Sequence, residues 1–339
     1  MSILEKKILE ARKRFQPLFA TLEITQACNL ACKHCYNFDR KEVSPHQQKQ
    51  ILSLDEIKNI LSDLYQLGSL SLNITGGEPL LRPDLFEILK EAKKYPFQLR
   101  IKSNGHLLTK AFAEKLKASG VKEVDISLYG ANEETYLKFC GKKGHLKTLR
   151  GIEKAQEAGI KVNASIILHK ENYKDISSMI KLMKKMNVFF NISDEITDRY
   201  DGSYAREDLG LSKSEYLELL SSEECYFFEH ENPEKDLSCG CAKVVIGIGA
   251  YGDVFPCIGA PILSGNIRNQ SLKTIWKNSE ELKKIRDYTF EDFKDCRSCQ
   301  FIENCSRSSG SAYINTGNYT GCDPVALEHA RARQEKKDK

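Results

Sequence analysis

Short apolar runs alternate with amphipathic, helix-like segments over the first two thirds of the chain. Strands that alternate with helices in this way indicate repeated βα units around a parallel sheet, which is an α/β fold. We predict strands at Thr21–Thr25, Leu70–Ile74, Gln98–Lys102, Glu123–Tyr129, Lys161–Leu168 and Val188–Ile192. Helices are predicted near 54–67, 83–94, 109–118, 146–158 and 172–185.

Six βα units are enough for an open barrel, a partial (β/α)6 TIM-like barrel over residues 18–193. Ser53 followed by Glu56 predicts a capping box at the start of one helix, and Pro83 suits the first turn of the next. In barrels of this kind the chemistry lies at the carboxyl ends of the strands. The functional residues are therefore expected in the loops that follow the strands.

The alternating pattern stops after residue 193. Residues 194–238 contain the polar segment Asp198-Arg199-Tyr200-Asp201-Gly202-Ser203 and one predicted helix near 212–221, and we interpret them as a linker or a substrate-facing segment. Residues 239–325 are Cys-rich, with a hairpin signal at Tyr251-Gly252-Asp253 and a helix predicted near 271–286. Residues 1–17 are an N-terminal extension, and residues 326–339 are a basic C-terminal tail that we expect to be solvated and frayed.

The composition is that of a soluble globular protein, with 41% hydrophobic and 29% charged residues among 339. A net charge of +4 is too small to indicate a nucleic-acid partner. The chain has neither an apolar export signal at its start nor a continuous apolar stretch long enough to span a membrane. We therefore expect a cytoplasmic protein without a membrane partner.

The twelve cysteines are better explained as metal ligands than as disulfides, because cytosolic thiols are kept reduced. They fall into two groups that frame a Cys-poor middle. The first group is Cys28, Cys32 and Cys35, and the second is Cys239, Cys241, Cys257, Cys296, Cys299, Cys305 and Cys322. Cys140 and Cys225 lie apart, and we interpret Cys140 as a buried apolar residue.

Cys28, Cys32 and Cys35 are spaced C-x3-C-x2-C directly after the first predicted strand. Three thiolates hold three corners of a [4Fe–4S] cluster and leave the fourth iron open, whereas a structural zinc ion needs four protein ligands. On spacing alone, a zinc or redox site remains the alternative. The chain offers no fourth ligand ahead of the three cysteines.

This loop, Gln26 to Tyr36, resembles the cluster loop of the radical S-adenosylmethionine (SAM) enzymes. The resemblance implies that Cys28, Cys32 and Cys35 hold the catalytic cluster, whose open iron binds the amino and carboxylate groups of SAM. Reductive cleavage of SAM would then give a 5′-deoxyadenosyl radical. The turn Thr75-Gly76-Gly77-Glu78-Pro79 resembles the motif that receives the SAM amino group, although alone it could be an ordinary tight connection.

The same resemblance assigns further SAM contacts at the ends of later strands. It implies that Ser103, Asn104 and Ser127 lie near the ribose and carboxylate, and that Arg150 is a carboxylate partner. His34 would pack near the adenine. The alternatives are ordinary turn residues for the first three, a helix-surface charge for Arg150 and an exposed ring for His34.

The C-terminal cysteines resemble the SPASM extension, which carries auxiliary [4Fe–4S] clusters. Cys296, Cys299, Cys305 and Cys322 match the ligands of the second auxiliary cluster, and a zinc knuckle is the alternative. Cys239, Cys241 and Cys257 are the expected ligands of the first. Ser309 stands where the family has a fourth cysteine. Cys225, a group other than cysteine or an open iron would complete that cluster.

Resemblance to the SPASM group implies hydrogen abstraction from a peptide or protein. We expect maturation of a ribosomally synthesised peptide, by a thioether or carbon–carbon crosslink or a related change. The alternatives are haem or other cofactor biosynthesis and a sulfatase-type maturase, which is disfavoured because Ile258 stands where that branch has an aspartate. A non-radical Fe–S electron-transfer or zinc-binding protein is the alternative from a different class.

Two protein partners follow from the resemblance besides the substrate. A reducing donor such as flavodoxin or ferredoxin would supply the electron. Nothing before Phe19 is long enough for the leader-binding domain of some peptide maturases, so we expect a separate leader-peptide recognition protein.

Overall fold

The structure is a computed structural model, and it describes residues 3–42, 44, 48–201, 203, 208–230, 237 and 239–339. The predicted linker is therefore described only in part, because Gly202 and residues 204–207, 231–236 and 238 lie outside these ranges. Among the described residues, no helix combines the length and the apolar surface that crossing a bilayer requires.

The predicted parallel sheet is confirmed. The six strands run in the order β6-β5-β4-β3-β2-β1, each parallel to its neighbour. Their ends differ from the prediction by no more than two residues. They are β1 Phe19–Glu23, β2 Ser71–Thr75, β3 Gln98–Ser103, β4 Glu123–Leu128, β5 Lys161–Ile167 and β6 Phe189–Ser193.

The Cys-rich region continues this sheet and does not form a separate layer. β7 (Val245–Ile248) pairs parallel to β1, and β8 (Asp253–Phe255) and β9 (Gly265–Asn266) follow antiparallel. The predicted hairpin at Tyr251-Gly252-Asp253 is the β7–β8 turn, where Gly252 has a φ of 88°. Shared backbone hydrogen bonds thus join the two Cys-bearing regions.

Helices flank the strands in the expected alternation. Those between β1 and β6 are α2 Leu54–Gln66, α3 Leu85–Ala92, α4 Lys110–Ala118, α5 Glu133–Cys140, α6 His145–Glu157 and α7 Ile176–Lys185. α1 (Ile3–Lys13) precedes the sheet. After β6 come α8 Lys213–Leu220, α9 Leu272–Asn278, α10 Glu280–Asp287, α11 Lys294–Arg297, α12 Ser309–Thr316 and α13 Pro324–Lys337.

The helix starts follow local capping chemistry. The capping box at α2 is confirmed, since Ser53 Oγ accepts from the Glu56 N–H at 3.2 Å and Glu56 Oε2 accepts from the Ser53 N–H at 2.8 Å. The predicted helix at 271–286 is two helices, because the backbone at Ser279 turns extended and its side chain caps α10. The helix predicted from 83 begins only at Leu85, after a short 3₁₀ turn at Pro79–Leu81.

The two faces of the sheet differ in character. One face carries apolar side chains, such as Leu22, Ile74 and Ile126, that are fully buried in the core. The other carries polar and charged side chains, including Arg100, Lys102, Asp125, Asn163 and Ser165. Helices cover the apolar face, so the polar face is left to line a cavity.

The prediction of a frayed C-terminal tail is wrong. Residues 324–337 form α13, which packs on α8, and Ala330 is fully buried. Asp323 caps this helix by accepting from the Val325 and Ala326 N–H groups. Sequence reasoning missed the helix because polar residues hold it in place: Arg333 and His329 are each only 5% exposed.

Candidate functional site

A cavity of about 330 Å³ opens at the carboxyl ends of the first five parallel strands. Cys28, Cys32 and Cys35 all lie on its wall, in the loop after β1. Loops that follow β2, β3 and β4 contribute the neighbouring wall. The sequence motifs that the strands separate by dozens of residues therefore meet in one place, as the barrel rule predicts.

The C-terminal end of α5 holds the cysteine loop. The Ala31 N–H donates to the Cys140 carbonyl at 3.0 Å, and the Lys33 N–H donates to the Phe139 carbonyl at 3.0 Å. Gly141 ends the helix with a φ of 71°, and a side chain there would press on the Ala31 carbonyl. Cys140 is fully buried as predicted, and its thiol also contacts that of Cys32.

The three thiols fit a metal cluster. The Arg40 Nε donates to Cys35 Sγ at 3.0 Å, and the Leu30 N–H points at Cys28 Sγ at 3.5 Å. Burial raises the pKa of Cys28 to about 11, so cluster binding would release its proton. No three His, Cys, Asp or Glu side chains of the described chain converge as a single metal ion requires. A cluster instead binds each thiolate to a different iron, so its ligands need not share one point.

Gly76 and Gly77 bring the turn after β2 against the cysteine loop. The Gly77 N–H donates to the Thr25 carbonyl at 2.8 Å, and the Glu78 N–H donates to the Ala27 carbonyl at 2.8 Å. A Cβ at Gly76 would lie 2.1 Å from the Thr25 carbonyl oxygen, and Gly76 has a φ of 145°. Both glycines line the cavity, so the turn approaches any ligand with bare backbone.

We expect Gly76→Ala to displace the cysteine loop. Backbone strain and the clash with Thr25 act together, so the free energy of unfolding should fall by about 3 kcal/mol or more, and less iron should bind. Gly317→Ala is the matched control, because Gly317 also has a positive φ but nothing within 4 Å of its added Cβ. Equal losses of stability and iron in the two variants would contradict this account.

Glu78 belongs to the turn that the resemblance assigns to the SAM amino group, but the structure places it differently from Gly76 and Gly77. It is fully buried and does not line the cavity. Its carboxylate accepts from the Asn104 N–H at 2.8 Å, the Ser103 hydroxyl at 2.9 Å and the Leu80 N–H at 3.1 Å. Burial raises its pKa to about 7. Glu78 therefore positions the ends of β2 and β3 relative to each other.

Ser103, Asn104 and Ser127 line the cavity, and their contacts with the ribose and carboxylate of SAM stay a prediction. Asn104 Nδ2 donates to Asn29 Oδ1 at 2.7 Å, which ties the end of β3 to the cysteine loop. Arg150 does not line the cavity. It is exposed on α6, so the prediction that it is a partner of the SAM carboxylate is not supported. Motif spacing alone did not indicate which way its side chain points.

His34 provides a flat aromatic wall. Its ring stacks on Phe139 at 4.7 Å between centroids and meets Tyr129 edge-on at 4.9 Å. Burial lowers the pKa of His34 to about 3, so the ring is neutral at physiological pH. A neutral planar ring facing the cavity agrees with the expected position beside an adenine base.

Several cavity residues were missed from the sequence. Arg40 contacts Cys35, and Lys102 and Asp125 lie opposite each other on β3 and β4. Glu195 and Thr197 come from the segment after β6. The alternation Arg100-Ile101-Lys102 carried the signal for a polar inner face, and the polar segment after residue 193 carried the signal for a substrate-facing loop.

Two tyrosines connect the cysteine loop to Cys257. The Tyr36 hydroxyl donates to the buried Glu23 carboxylate at 2.6 Å. The Tyr36 ring packs on the Tyr200 ring, with 5.2 Å between the two ring centroids. The Tyr200 hydroxyl donates to the Ile258 carbonyl, next to Cys257. The segment after β6 therefore bridges the two Cys-bearing regions along one edge of the cavity.

The C-terminal cysteines form two groups. Cys241 Sγ lies 3.0 Å from Cys257 Sγ, and a hydrogen bond with Cys241 lowers the pKa of Cys239. The second group contains Cys296, Cys299, Cys305 and Cys322. Burial, and to a smaller extent the neighbouring cysteines of this group, raise the pKa of Cys296, Cys305 and Cys322. Cys225 lies in the 3₁₀ turn Cys225–Phe227, and no contact joins it to either group in the part of the chain that the structure describes.

Family models match both Cys-bearing regions. The model of the radical SAM superfamily matches residues 22–183, and the model of the SPASM iron–sulfur cluster-binding domain matches residues 239–300. The chain belongs to the radical SAM superfamily and carries a SPASM domain. It is therefore an enzyme that uses [4Fe–4S] clusters and SAM, and these predictions are confirmed.

Two relatives span nearly the whole chain. An AdoMet-dependent heme synthase of Methanosarcina barkeri is 29% identical and covers 92% of this chain and 96% of its own. The mycofactocin maturase MftC of Mycolicibacterium smegmatis is 27% identical and covers 92% and 83%. SuiB of Streptococcus suis, solved with precursor peptide SuiA, has a similar fold, with a TM-score of 0.64, 20% identity and coverage of 91% and 76%.

Proposed function

We propose that this chain is a peptide-modifying radical SAM/SPASM enzyme that abstracts hydrogen from a ribosomally synthesised peptide and installs a thioether or carbon–carbon crosslink or a related change. One observation carries the proposal. The three cysteines, the Gly76-Gly77 turn and the polar ends of β3 and β4 line a single cavity. In this enzyme class the bound cluster and SAM supply a 5′-deoxyadenosyl radical.

The chain's own residues divide into two sets around the cavity. The first set would hold the cluster and SAM: Cys28, Cys32, Cys35, His34, Gly76, Gly77, Ser103, Asn104 and Ser127. The second set would contact substrate and comes from β3, β4, β5 and the segment after β6: Lys102, Asp125, Ser165, Glu195 and Thr197. Side chains of both charge signs, together with hydroxyl groups, suit the amides and polar side chains of a peptide.

The relatives support a peptide substrate in two ways. Mycofactocin maturase spans nearly the whole chain, and SuiB, whose fold is similar, has been solved with a precursor peptide. We further propose that a flavodoxin or ferredoxin reduces the cluster and that a separate protein recognises the leader peptide. Residues 18–193 and 239–325 would be the two functional units, joined by the shared sheet.

The test uses anaerobically reconstituted, reduced full-length protein. With SAM it should release 5′-deoxyadenosine and methionine, and with the precursor peptide encoded beside its gene it should also change the mass of that peptide. Metal binding without SAM cleavage would instead favour an electron-transfer or zinc-binding protein. SAM cleavage without any change in the peptide would remove the peptide substrate from the proposal.

The heme synthase relative favours a second candidate, radical chemistry on the side chains of a tetrapyrrole. That relative matches this chain over 96% of its own length. Ile258 lines the cavity and supplies no acid or base after Cys257, so the structure adds no support for the sulfatase-type alternative. Incubating the reconstituted protein with an iron porphyrin and SAM would distinguish the two candidate substrates, because only an enzyme that modifies tetrapyrroles would change the mass of the porphyrin.

Lys102 offers a test of the substrate face. It is exposed in the cavity, and no ion pair within the described chain joins it to the facing Asp125. We expect Lys102→Met to slow substrate modification about 10-fold or more, because a charge-assisted contact is lost, and to leave SAM cleavage without substrate unchanged. Lys90→Met, on the outer helix α3, is the control and should change neither rate. Equal slowing of both reactions would place Lys102 at SAM.

A further inference from the structure

The thiols of Cys239, Cys241 and Cys257 have hydroxyl groups on one side. The Tyr319 hydroxyl lies 2.9 Å from Cys239 Sγ. The Ser309 side chain is a direct neighbour of the Tyr319 hydroxyl. The Tyr319 hydroxyl therefore lies at the three sulfurs, and the Ser309 hydroxyl lies next to that oxygen.

The Ser309 side chain is buried and is fixed by a hydrogen bond. It is 2% exposed, and Arg307 Nη1 donates to its Oγ at 2.7 Å. The same guanidinium donates to the carbonyls of Tyr319 and Gly321, so it cannot move independently of them. A cation beside a hydroxyl oxygen stabilises the deprotonated form of that oxygen.

Backbone packing fixes Ser309 relative to Cys257. A Cβ at Gly310 would lie 2.0 Å from the Gly259 carbonyl oxygen, so α12 begins in direct contact with the turn after Cys257. Cys225, the other candidate ligand, shows no contact with the three thiols among the described residues. The position that the family fills with cysteine is therefore occupied by a serine that the fold holds beside Tyr319 and beside the turn that follows Cys257.

We propose that Ser309 Oγ is the fourth ligand of the first auxiliary [4Fe–4S] cluster, and that the Tyr319 hydroxyl donates a hydrogen bond to the Cys239 sulfur. This inference rests on the proposed function, a radical SAM/SPASM enzyme, and on the first auxiliary cluster that the SPASM resemblance implies at these cysteines. On ligation the Ser309 O–H bond breaks, an Fe–O bond forms and the proton leaves to solvent, with no change in iron oxidation state. Oxygen is a harder donor than sulfur and stabilises the oxidised cluster, and hydrogen bonds to sulfur act in the opposite direction.

The test compares Ser309→Cys, Ser309→Ala and Tyr319→Phe with a parent protein, all full-length and all carrying Cys28→Ala, Cys32→Ala and Cys35→Ala, so that the open iron of the catalytic cluster contributes no signal. All are reconstituted anaerobically with ⁵⁷Fe. In the parent, Mössbauer spectra should contain one iron signal of mixed sulfur and oxygen coordination. Ser309→Cys should remove that signal and raise the midpoint potential of one cluster. Tyr319→Phe should keep the iron content and lower that potential. Ser308→Cys is the control, since Ser308 caps α12 and should leave both readouts unchanged.

Three results would overturn the proposal. They are unchanged spectra in Ser309→Cys, an EPR signal of the parent that shifts on adding imidazole, which would reveal an open iron in an auxiliary cluster, and loss of one cluster in Cys225→Ala. If Ser309→Cys fails to fold by circular dichroism, Ser309→Ala decides: its EPR signal should respond to imidazole while the signal of the parent does not. SAM cleavage is measured on the same Ser309 and Tyr319 variants with Cys28, Cys32 and Cys35 intact, so a failure of the proposed function is seen separately from a failure of the ligand assignment.

Discussion

Replacing Cys28, Cys32 and Cys35 together by alanine should reduce release of 5′-deoxyadenosine from SAM by at least about 1,000-fold, because the cluster that delivers the electron to SAM would lose its three protein ligands. The three thiols are the only cysteines on the wall of the cavity in the described chain. The C-terminal cysteines lie outside that cavity, so their iron and sulfide should remain bound. Liquid chromatography of 5′-deoxyadenosine and iron analysis of the same sample measure the two effects.

Cys140→Ala is the matched control for this experiment. Cys140 is fully buried and its thiol touches that of Cys32, but it belongs to α5 and not to the loop. Removing one buried sulfur should cost about 1 kcal/mol of stability and leave SAM cleavage within about twofold of wild type. If Cys140→Ala also abolished cleavage, Cys140 would be a fourth ligand of the catalytic cluster, and no iron of that cluster would be open to SAM.

The sequence predicted the sheet well because the strands are short apolar runs whose flanking turns are chemically distinct. The sequence also predicted that the cysteines, Gly76, Gly77 and the ends of β3 and β4 meet at one edge of the sheet, because the carboxyl ends of parallel strands all point the same way. It could not give side-chain direction within a motif. Glu78 turns inward to accept three hydrogen bonds, and Arg150 turns outward on α6.

Long-range polar contacts were the second kind of information that periodicity lacks. The C-terminal segment looks like a charged tail, because the residues that anchor it are an arginine and a histidine and their partner is distant in sequence. Asp194 follows β6, and it lies 3.2 Å from His329 Nδ1 and 3.8 Å from the Arg333 guanidinium. Only the fold brings these charges together. The same holds for Tyr200, which reaches the Ile258 carbonyl from a segment interpreted as a linker.

Arg333→Met should lower the free energy of unfolding by about 3–5 kcal/mol, because it removes a buried guanidinium that faces the half-buried Asp194 carboxylate and leaves its other buried acceptors unpaired. The guanidinium also donates to Tyr216 Oη at 2.6 Å, the Phe228 carbonyl at 2.8 Å and the Asn304 carbonyl at 2.9 Å. These bonds connect α8, the second auxiliary group and the segment after β6. Since Asp194 precedes the cavity residue Glu195, substrate modification should fall as well. Anaerobic chemical denaturation of the reconstituted protein measures the stability change.

Arg331→Met is the control, because Arg331 lies on the same helix but is exposed. Its contacts within the described chain are an ion pair with Glu328 at 3.1 Å and a position over the Phe301 ring, so the expected loss is below about 1 kcal/mol. The pH dependence gives a second check. Burial would raise the pKa of Asp194, but His329 and Arg333 outweigh it and lower the pKa to about 2. A carboxyl pKa lowered by folding stabilises the protein above its unfolded value of about 3.9 and loses that contribution as the pH falls to about 2. Arg333→Met should therefore weaken the acid-induced loss of stability between these two pH values. An unchanged acid transition, together with wild-type stability at neutral pH, would show that Asp194 and Arg333 do not interact in solution.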